Sequence, residues 1–162
     1  MKIGLKILFV LALVLAIGVL YRAQAGSLEL HVEDIFTTVC TGSDNCEFIA
    51  DRVDDQDTIN DAINSVASAG GGSVYLAPGT YTVTSNVRLK KNITLIGQGE
   101  ASIIKLADYA SLLDAGIVRV KDNNDRPNHV QLKNFTIDGN KDNNPGKKNK
   151  YGIYAEADYL VI

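Results

Sequence analysis

Along most of this chain, apolar and polar residues alternate in short bursts, and only one stretch follows a helical period. Ile59, Ala62, Ile63, Val66 and Ala67 fall at i, i+3, i+4, i+7 and i+8, the single apolar face of a helix over 57–68. Asp55 or Asp57 is placed to cap it, and Gly70-Gly71-Gly72 ends it abruptly. Before the helix, SLELHVEDIF (Ser27–Phe36) alternates and predicts a first strand, followed by a loop between two cysteines. After the glycines everything reads as β. SVYLAPGTYTV gives two strands around Pro78-Gly79, and NVRLKKNITLIGQG, SIIKLAD, GIVRVKD, VQLKNFTIDGN and YGIYAEADYLVI follow. Each strand has only two or three inward apolar positions. The intervening Gly, Asn and Asp residues do not form the two-residue hairpin turns that a sandwich would use.

A longer period overlies the strands. NVRLKKNITLIGQG and NHVQLKNFTIDGN share one scheme: apolar-x-apolar, a polar bend, apolar-x-apolar, then Gly and a polar residue. DYLVI reads as a third copy beginning. Recurrence at roughly 25–40 residues marks a β-solenoid, in which each coil buries its inner face only by stacking on the next. The expected fold is therefore all-β, a parallel β-helix with the 57–68 helix covering its first coil. Because Ile162 falls in mid-strand, the expectation is a β-helix truncated at its C-terminus, with an open edge that invites self-association.

Residues 1–25 carry a different signal. Lys2 and Lys6 precede the apolar run Ile7–Leu20, and Ala23-Gln24-Ala25 offers a small-x-small cleavage site. Fourteen residues are fewer than the roughly 20 that span a bilayer. An exported, secreted or cell-surface chain is expected, with membrane attachment only if the segment stays uncleaved. The expected organisation is a signal peptide (1–25), an N-terminal strand and cysteine loop (26–56) and the start of a β-helix (57–162). Without Lys2, Lys6 and Arg22, the 16 basic residues fall to 13 against 19 acidic ones. That balance argues against nucleic-acid binding through a general positive field. In an oxidising compartment Cys40 and Cys46 are expected to form a small-loop disulfide.

DTINDAINSVASAGGGSVYLAPGTYTV resembles the opening of right-handed parallel β-helix proteins of the pectate-lyase superfamily. Within that group, GIVRV together with VQLKNFTIDGNKDNNPGKK is most similar to the N-terminal part of secreted mannuronan C5-epimerases. The resemblance runs from Asp54 to the end. It departs from the family's pattern in three places. CEFIADRVDD replaces the lead-in Phe-Gly-Ala…Gly-Asp-Gly, and Asn149 stands where the family has an Asp after the loop lysine. The Tyr-Gly-x-Asp-Pro-His segment that moves protons in the family is expected only beyond Ile162.

The resemblance implies removal of the C5 proton of a mannuronate in alginate and its return from the opposite face. The adjacent carboxylate makes that proton weakly acidic, so a site must neutralise the carboxylate and hold enolate-like charge. By its match to the family's loop lysine, Lys147 is the candidate for that role, against a plain solvated lysine. Arg119, Lys141 and Asn149 are candidates for substrate binding. Arg119 points away from the core because Val118 and Val120 point into it. Calcium is the cofactor the resemblance implies, with Asp138 and Asp142 as possible oxygen ligands; no spacing defines a metal site. Asp138-Gly139-Asn140 itself reads as a turn at a strand exit. His31 and His129 stand alone and read as incidental. The sequons at Asn92 and Asn134 fall in expected core strands, which argues against glycosylation. Two rival readings remain: a polysaccharide lyase or glycoside hydrolase on an acidic glycan, and a non-catalytic β-helix adhesin or glycan-binding surface protein.

Overall fold

The computed structural model describes residues 35–42, 46–110, 116–121, 126–145 and 151–162, all within the unit Asp34–Ile162. The expected signal segment and most of the strand expected over 27–36 lie outside the described residues. The first described strand starts where that one was to end: β1 is Phe36–Thr41, and β2 is Phe48–Ala50. The helix α1 spans Asp55–Ser68, and the strands that follow are β3 (Gly72–Leu76), β4 (Gly79–Val83), β5 (Val87–Arg88), β6 (Ile93–Leu106), β7 (Val118–Val120), β8 (Val130–Asp138), β9 (Ile153–Ala155) and β10 (Leu160–Val161). Every strand pairing among the described residues is parallel. The chain is a right-handed parallel β-helix.

Each coil has three faces. The first holds β3, Ile93–Ile96 of β6, the start of β8, and β10, with β1 and β2 extending it beyond the first coil. The second pairs β4 with the end of β6 and that end with the end of β8. The third is β5-β7-β9. β6 and β8 turn from the first face to the second within a single strand, with register shifts between Ile96 and Ile103. SIIKL is therefore the second half of a bent strand rather than a strand by itself. Gly97 lies at this bend, where an added Cβ would come within 2.7 Å of the Asn134 carbonyl oxygen.

The register corrects the phase of the internal repeat. VRLK pairs with VRVK on the third face, and ITLI pairs with VQLK on the first. The scheme that matched VRL to VQL is thus one face out of step. All three corners are short and polar, so hydropathy alone does not distinguish them. Successive coils advance by 21 residues (Gly72 to Ile93), 37 (Thr94 to Gln131) and 30 (Val130 to Leu160). Both sequon asparagines are exposed and in left-handed conformation, Asn92 at a turn before β6 rather than in a strand and Asn134 within β8 at its bend.

Inward residues from the three faces form one core, including Leu76, Tyr81, Leu95, Ile104 and Val118, all fully buried. The apolar stripe of α1 joins it, with Ile59, Ala62, Ile63 and Val66 buried. The glycines that stop the helix permit a close approach. A Cβ on Gly71 would meet the Asn92 carbonyl oxygen at 2.5 Å, and one on Gly72 would meet that of Ile35 at 2.2 Å.

The polar side of α1 makes the first coil possible. β1 pairs with β3, so the first face has a strand before it, but among the described residues no strand precedes β4 or β5. Their backbone donors find helix side chains instead. Thr82 N donates to Asp55 Oδ2 at 2.6 Å, Thr84 N to Gln56 Oε1 at 3.0 Å, and Arg88 N to Asn60 Oδ1 at 2.8 Å. Asp55 and Gln56 are buried, as acceptors on a sheet edge away from water must be. The helix starts two residues earlier than its apolar period indicates, and neither expected aspartate caps it. Asp54 precedes it in left-handed conformation with no side-chain cap. The Asp55 carboxylate instead bridges Arg52 N (2.7 Å) and Thr82 N, and its burial raises its pKa.

Asp55→Asn keeps one acceptor and turns an N–H toward the other donor. It is expected to cost about 1–3 kcal/mol, the penalty of an unsatisfied buried donor, measured as a lowered urea midpoint. An unchanged midpoint would show that the carboxylate does not close the first coil.

Candidate active site

Three strands of the third face carry variants of one phrase: Val87-Arg88-Leu89-Lys90, Val118-Arg119-Val120-Lys121 and Ile153-Tyr154-Ala155-Glu156. Parallel register superimposes them, with Val87 opposite Val118 opposite Ile153, and Arg88 opposite Arg119 opposite Tyr154. Alternation sends Val87, Leu89, Val118 and Val120 into the core. It leaves an outward row of Arg88, Arg119 and Tyr154, its members about 4.8 Å apart along the helix axis. The ladder continues past the strands, with Leu89 N donating to Arg119 O and Glu156 N to Val120 O. Lys90, Lys121 and Glu156 thus form a second outward row.

Within these rows Glu156 joins two neighbours. Its Oε1 accepts from Lys121 Nζ at 2.9 Å and also from the Tyr154 hydroxyl. These two hydrogen bonds, Tyr154's first, hold the Glu156 carboxyl below the usual carboxylate range. The same bonds raise the pKa of Tyr154 and of Lys121. Tyr154 is therefore a protonated donor at neutral pH. The two rows hold four cations and one anion, on a chain with a formal net charge of −3. Beneath them, buried Asn86 ties the first coil to the second by donating to the Gly116 carbonyl.

The residues singled out from sequence fall in different places. Arg119 is half-buried in the centre of the third face. Lys141 is exposed in the loop after β8, away from these rows in sequence. Lys147 and Asn149 lie outside the described residues, which resume at Tyr151 just before β9. Cys40 and Cys46 are disulfide-bonded, their Cα atoms 6.0 Å apart, between β1 and β2. His31 lies outside the described residues, and His129 is exposed beside Tyr159, ring centroids 5.4 Å apart.

Asp138-Gly139-Asn140 forms a turn that joins coils. Asn140 N donates to Asp138 Oδ1 at 2.8 Å with Asn140 at φ 47°. The Asn140 amide donates to Leu106 O and to Asp108 Oδ1, and the Asn144 amide to Ala107 O. Asp138 also pairs with Lys105 at 3.8 Å, while Asp142 is exposed. Among the described residues no group of three or more His, Cys, Asp or Glu could hold a metal.

Tyr154, Glu156, Lys121 and Arg88 were not singled out from sequence. The available signal was the Val-Arg-x-Lys recurrence at 87–90 and 118–121, hidden by the phase error described above.

A model of the family described as rhamnogalacturonase A/epimerase, pectate lyase-like, matches residues 49–158. The chain is 35% identical over 104 residues to alginate lyase 7 of Azotobacter vinelandii, covering 59% of this chain and 12% of that protein. It is 35% identical over 102 residues to the mannuronan C5-epimerase AlgE4 of the same organism, covering 58% of this chain and 18% of that protein. Among solved structures, the A-modules of the A. vinelandii mannuronan C5-epimerases AlgE6 and AlgE4 each match with a TM-score of 0.58 and 30% identity. They cover 69% and 72% of this chain, and 30% and 32% of those chains. The chain therefore spans under one fifth of each curated relative named here and about a third of the solved modules.

The Glu156 cluster gives a pH test. A carboxylate whose pKa is lowered by folding stabilises the fold above its ordinary range, and loses that contribution as pH falls through the lowered value. Carbon-13 NMR should show Glu156 titrating below the ordinary range, and Tyr154→Phe should move its midpoint upward. An ordinary midpoint unaffected by Tyr154→Phe would contradict the cluster.

Proposed function

The chain belongs to the rhamnogalacturonase A/epimerase, pectate-lyase-like family, and from that premise we propose that it is part of an exported enzyme acting on an acidic polysaccharide. The third face is where a uronate residue of the polymer docks. The single observation behind this reading is the register-aligned row Arg88–Arg119–Tyr154 beside Lys90 and Lys121, a local positive surface on an acidic chain. A repeating anion suits a repeating cation, and a guanidinium meets a carboxylate with two parallel hydrogen bonds.

The reaction favoured is C5 epimerisation of mannuronate in alginate. Proton loss at C5 leaves two negative charges on one small fragment, the carboxylate and the enolate-like carbon. Arg119, flanked by Arg88, offsets that charge in the transition state. Tyr154, a phenol and so protonated at neutral pH, supplies a proton donor whose hydroxyl is held by Glu156. In epimerisation the C5–H bond breaks, and a new C–H bond forms at C5 on the opposite face. The base is assigned to no described residue. Lys147 keeps its place in this reading as a second carboxylate-neutralising cation, in the segment that leads into β9.

A second reaction is favoured by the named relative alginate lyase 7. In β-elimination the same C5 proton leaves, the C4–O bond breaks and the donor protonates the leaving oxygen. Both reactions need the same docking surface.

Arg119→Ala should weaken binding of mannuronate oligomers at least about tenfold, through the loss of a two-pronged charge-assisted pair, by isothermal titration calorimetry. Rising salt should weaken wild-type binding, and a neutral dextran should not bind. Equal affinity for dextran, or an unaltered Arg119→Ala variant, would overturn the reading.

A further inference from the structure

The first face carries a surface that the reading above does not use. Its outward positions form two register-aligned rows, Ser73–Thr94–Gln131 and Tyr75–Ile96–Lys133. Ser73, Thr94 and Gln131 of the one row and Ile96 and Lys133 of the other line an open groove of about 570 Å³ that reaches as far as His129. The rows lie on a chain with a formal net charge of −3. They hold hydroxyls, an amide, one aliphatic and one aromatic side chain, a single lysine and no carboxylate. The polar groups of Ser73, Thr94, Gln131 and Lys133 make no side-chain hydrogen bond or ion pair to other described residues. One ring, His129, lines the groove, and a second aromatic pair lies outside it. His129 packs on Tyr159, and Tyr75 stacks on Phe36 with ring centroids 6.1 Å apart.

A ladder of hydroxyl and amide groups beside the Ile96 side chain and the His129 ring matches the two sides of a sugar, its hydroxyl rim and its apolar ring face. Strand spacing repeats the ladder every 4.8 Å or so, which suits an extended polymer better than a compact ligand. The lone cation, with no opposing carboxylate in either row, sets the sign of the ligand.

We propose that this groove is a second, non-catalytic saccharide site that holds a further stretch of an anionic polysaccharide. Lys133 meets a uronate carboxylate, Gln131, Thr94 and Ser73 meet ring hydroxyls, and Ile96 with the His129 ring meets the apolar face of a sugar. The proposal rests on the polyuronate reading of the third face for the identity of the polymer. The two faces meet at the short corner Leu89–Asn92, so a polymer held on both gains affinity by linkage rather than by new contacts at either.

The test is a titration of the nitrogen-15-labelled chain with a mannuronate hexamer. Saturating shifts are expected at the amides of Thr94, Gln131 and Lys133. They should persist in Arg119→Ala, and Gln131→Ala/Lys133→Ala should weaken them about tenfold. These side chains point to solvent, so the variants should keep the wild-type dispersion elsewhere. Shifts confined to β5, β7 and β9 would overturn the second site and leave the first standing. Shifts on the first face alone would sink the third-face reading and leave this groove. An equal response to a neutral hexasaccharide would overturn the anionic ligand. Shifts that scale with protein concentration without sugar would make the groove a contact between two copies, and would overturn the proposal.

Discussion

A parallel coil satisfies its backbone only through the coils on either side, and this requirement organises the whole molecule. In the interior of the stack it is met automatically, because every strand lies between two others in register. At the first coil it must be met by something else. Asp55, Gln56 and Asn60 of α1 place three side-chain oxygens opposite Thr82 N, Thr84 N and Arg88 N. The helix thus buries an apolar stripe against the open core and gives the sheet edge the acceptors a preceding coil would have supplied. Covering apolar surface alone would leave those donors unpaired, at a cost of about 1–3 kcal/mol each. The tightest points elsewhere follow the same logic. The buried Tyr81 hydroxyl reaches the carbonyls of Val39 and Ala77, and the Asn140 amide reaches that of Leu106.

The same register creates the chemical surface. Once Val87, Val118 and Ile153 are stacked inward, Arg88, Arg119 and Tyr154 have no alternative to stacking outward. Lys121 and Glu156 follow two residues later, close enough to pair. A cationic surface is built on an acidic chain by repetition of a tetrapeptide, with no specialised loop needed to position it. The Glu156 carboxylate prevents this surface from being uniformly cationic, and it orients the only hydroxyl in the two rows.

How much of this could be read in the residues depends on which pattern each feature leaves. The α1 stripe is strongly periodic, and Ile59, Ala62, Ile63 and Val66 are all buried as that period requires. Short strands broken by Gly and Asn gave the solenoid, and Asp138-Gly139-Asn140 is the turn its composition implies. The phase of the repeat was not legible, because a polar corner such as Lys90–Asn92 resembles one such as Lys133–Asn134. The function of Asp55 was hidden for a different reason. An acidic residue near a helix start looks like a cap, whereas its partner Thr82 lies 27 residues away. Tyr154 and Glu156 were passed over because a strand ending in Tyr-Ala-Glu resembles any exposed edge until Arg119 and Lys121 are placed beside it.

The central claim is that one register stacks the core inward and, outward, the row proposed to bind uronate. A crystal structure of the chain with a mannuronate oligomer tests it most directly. The account predicts a sugar carboxylate within hydrogen-bond distance of the Arg119 guanidinium, with the polymer lying across the Arg88–Arg119–Tyr154 row. An oligomer that is well ordered elsewhere on the molecule, leaving that row in contact with solvent alone, would contradict it.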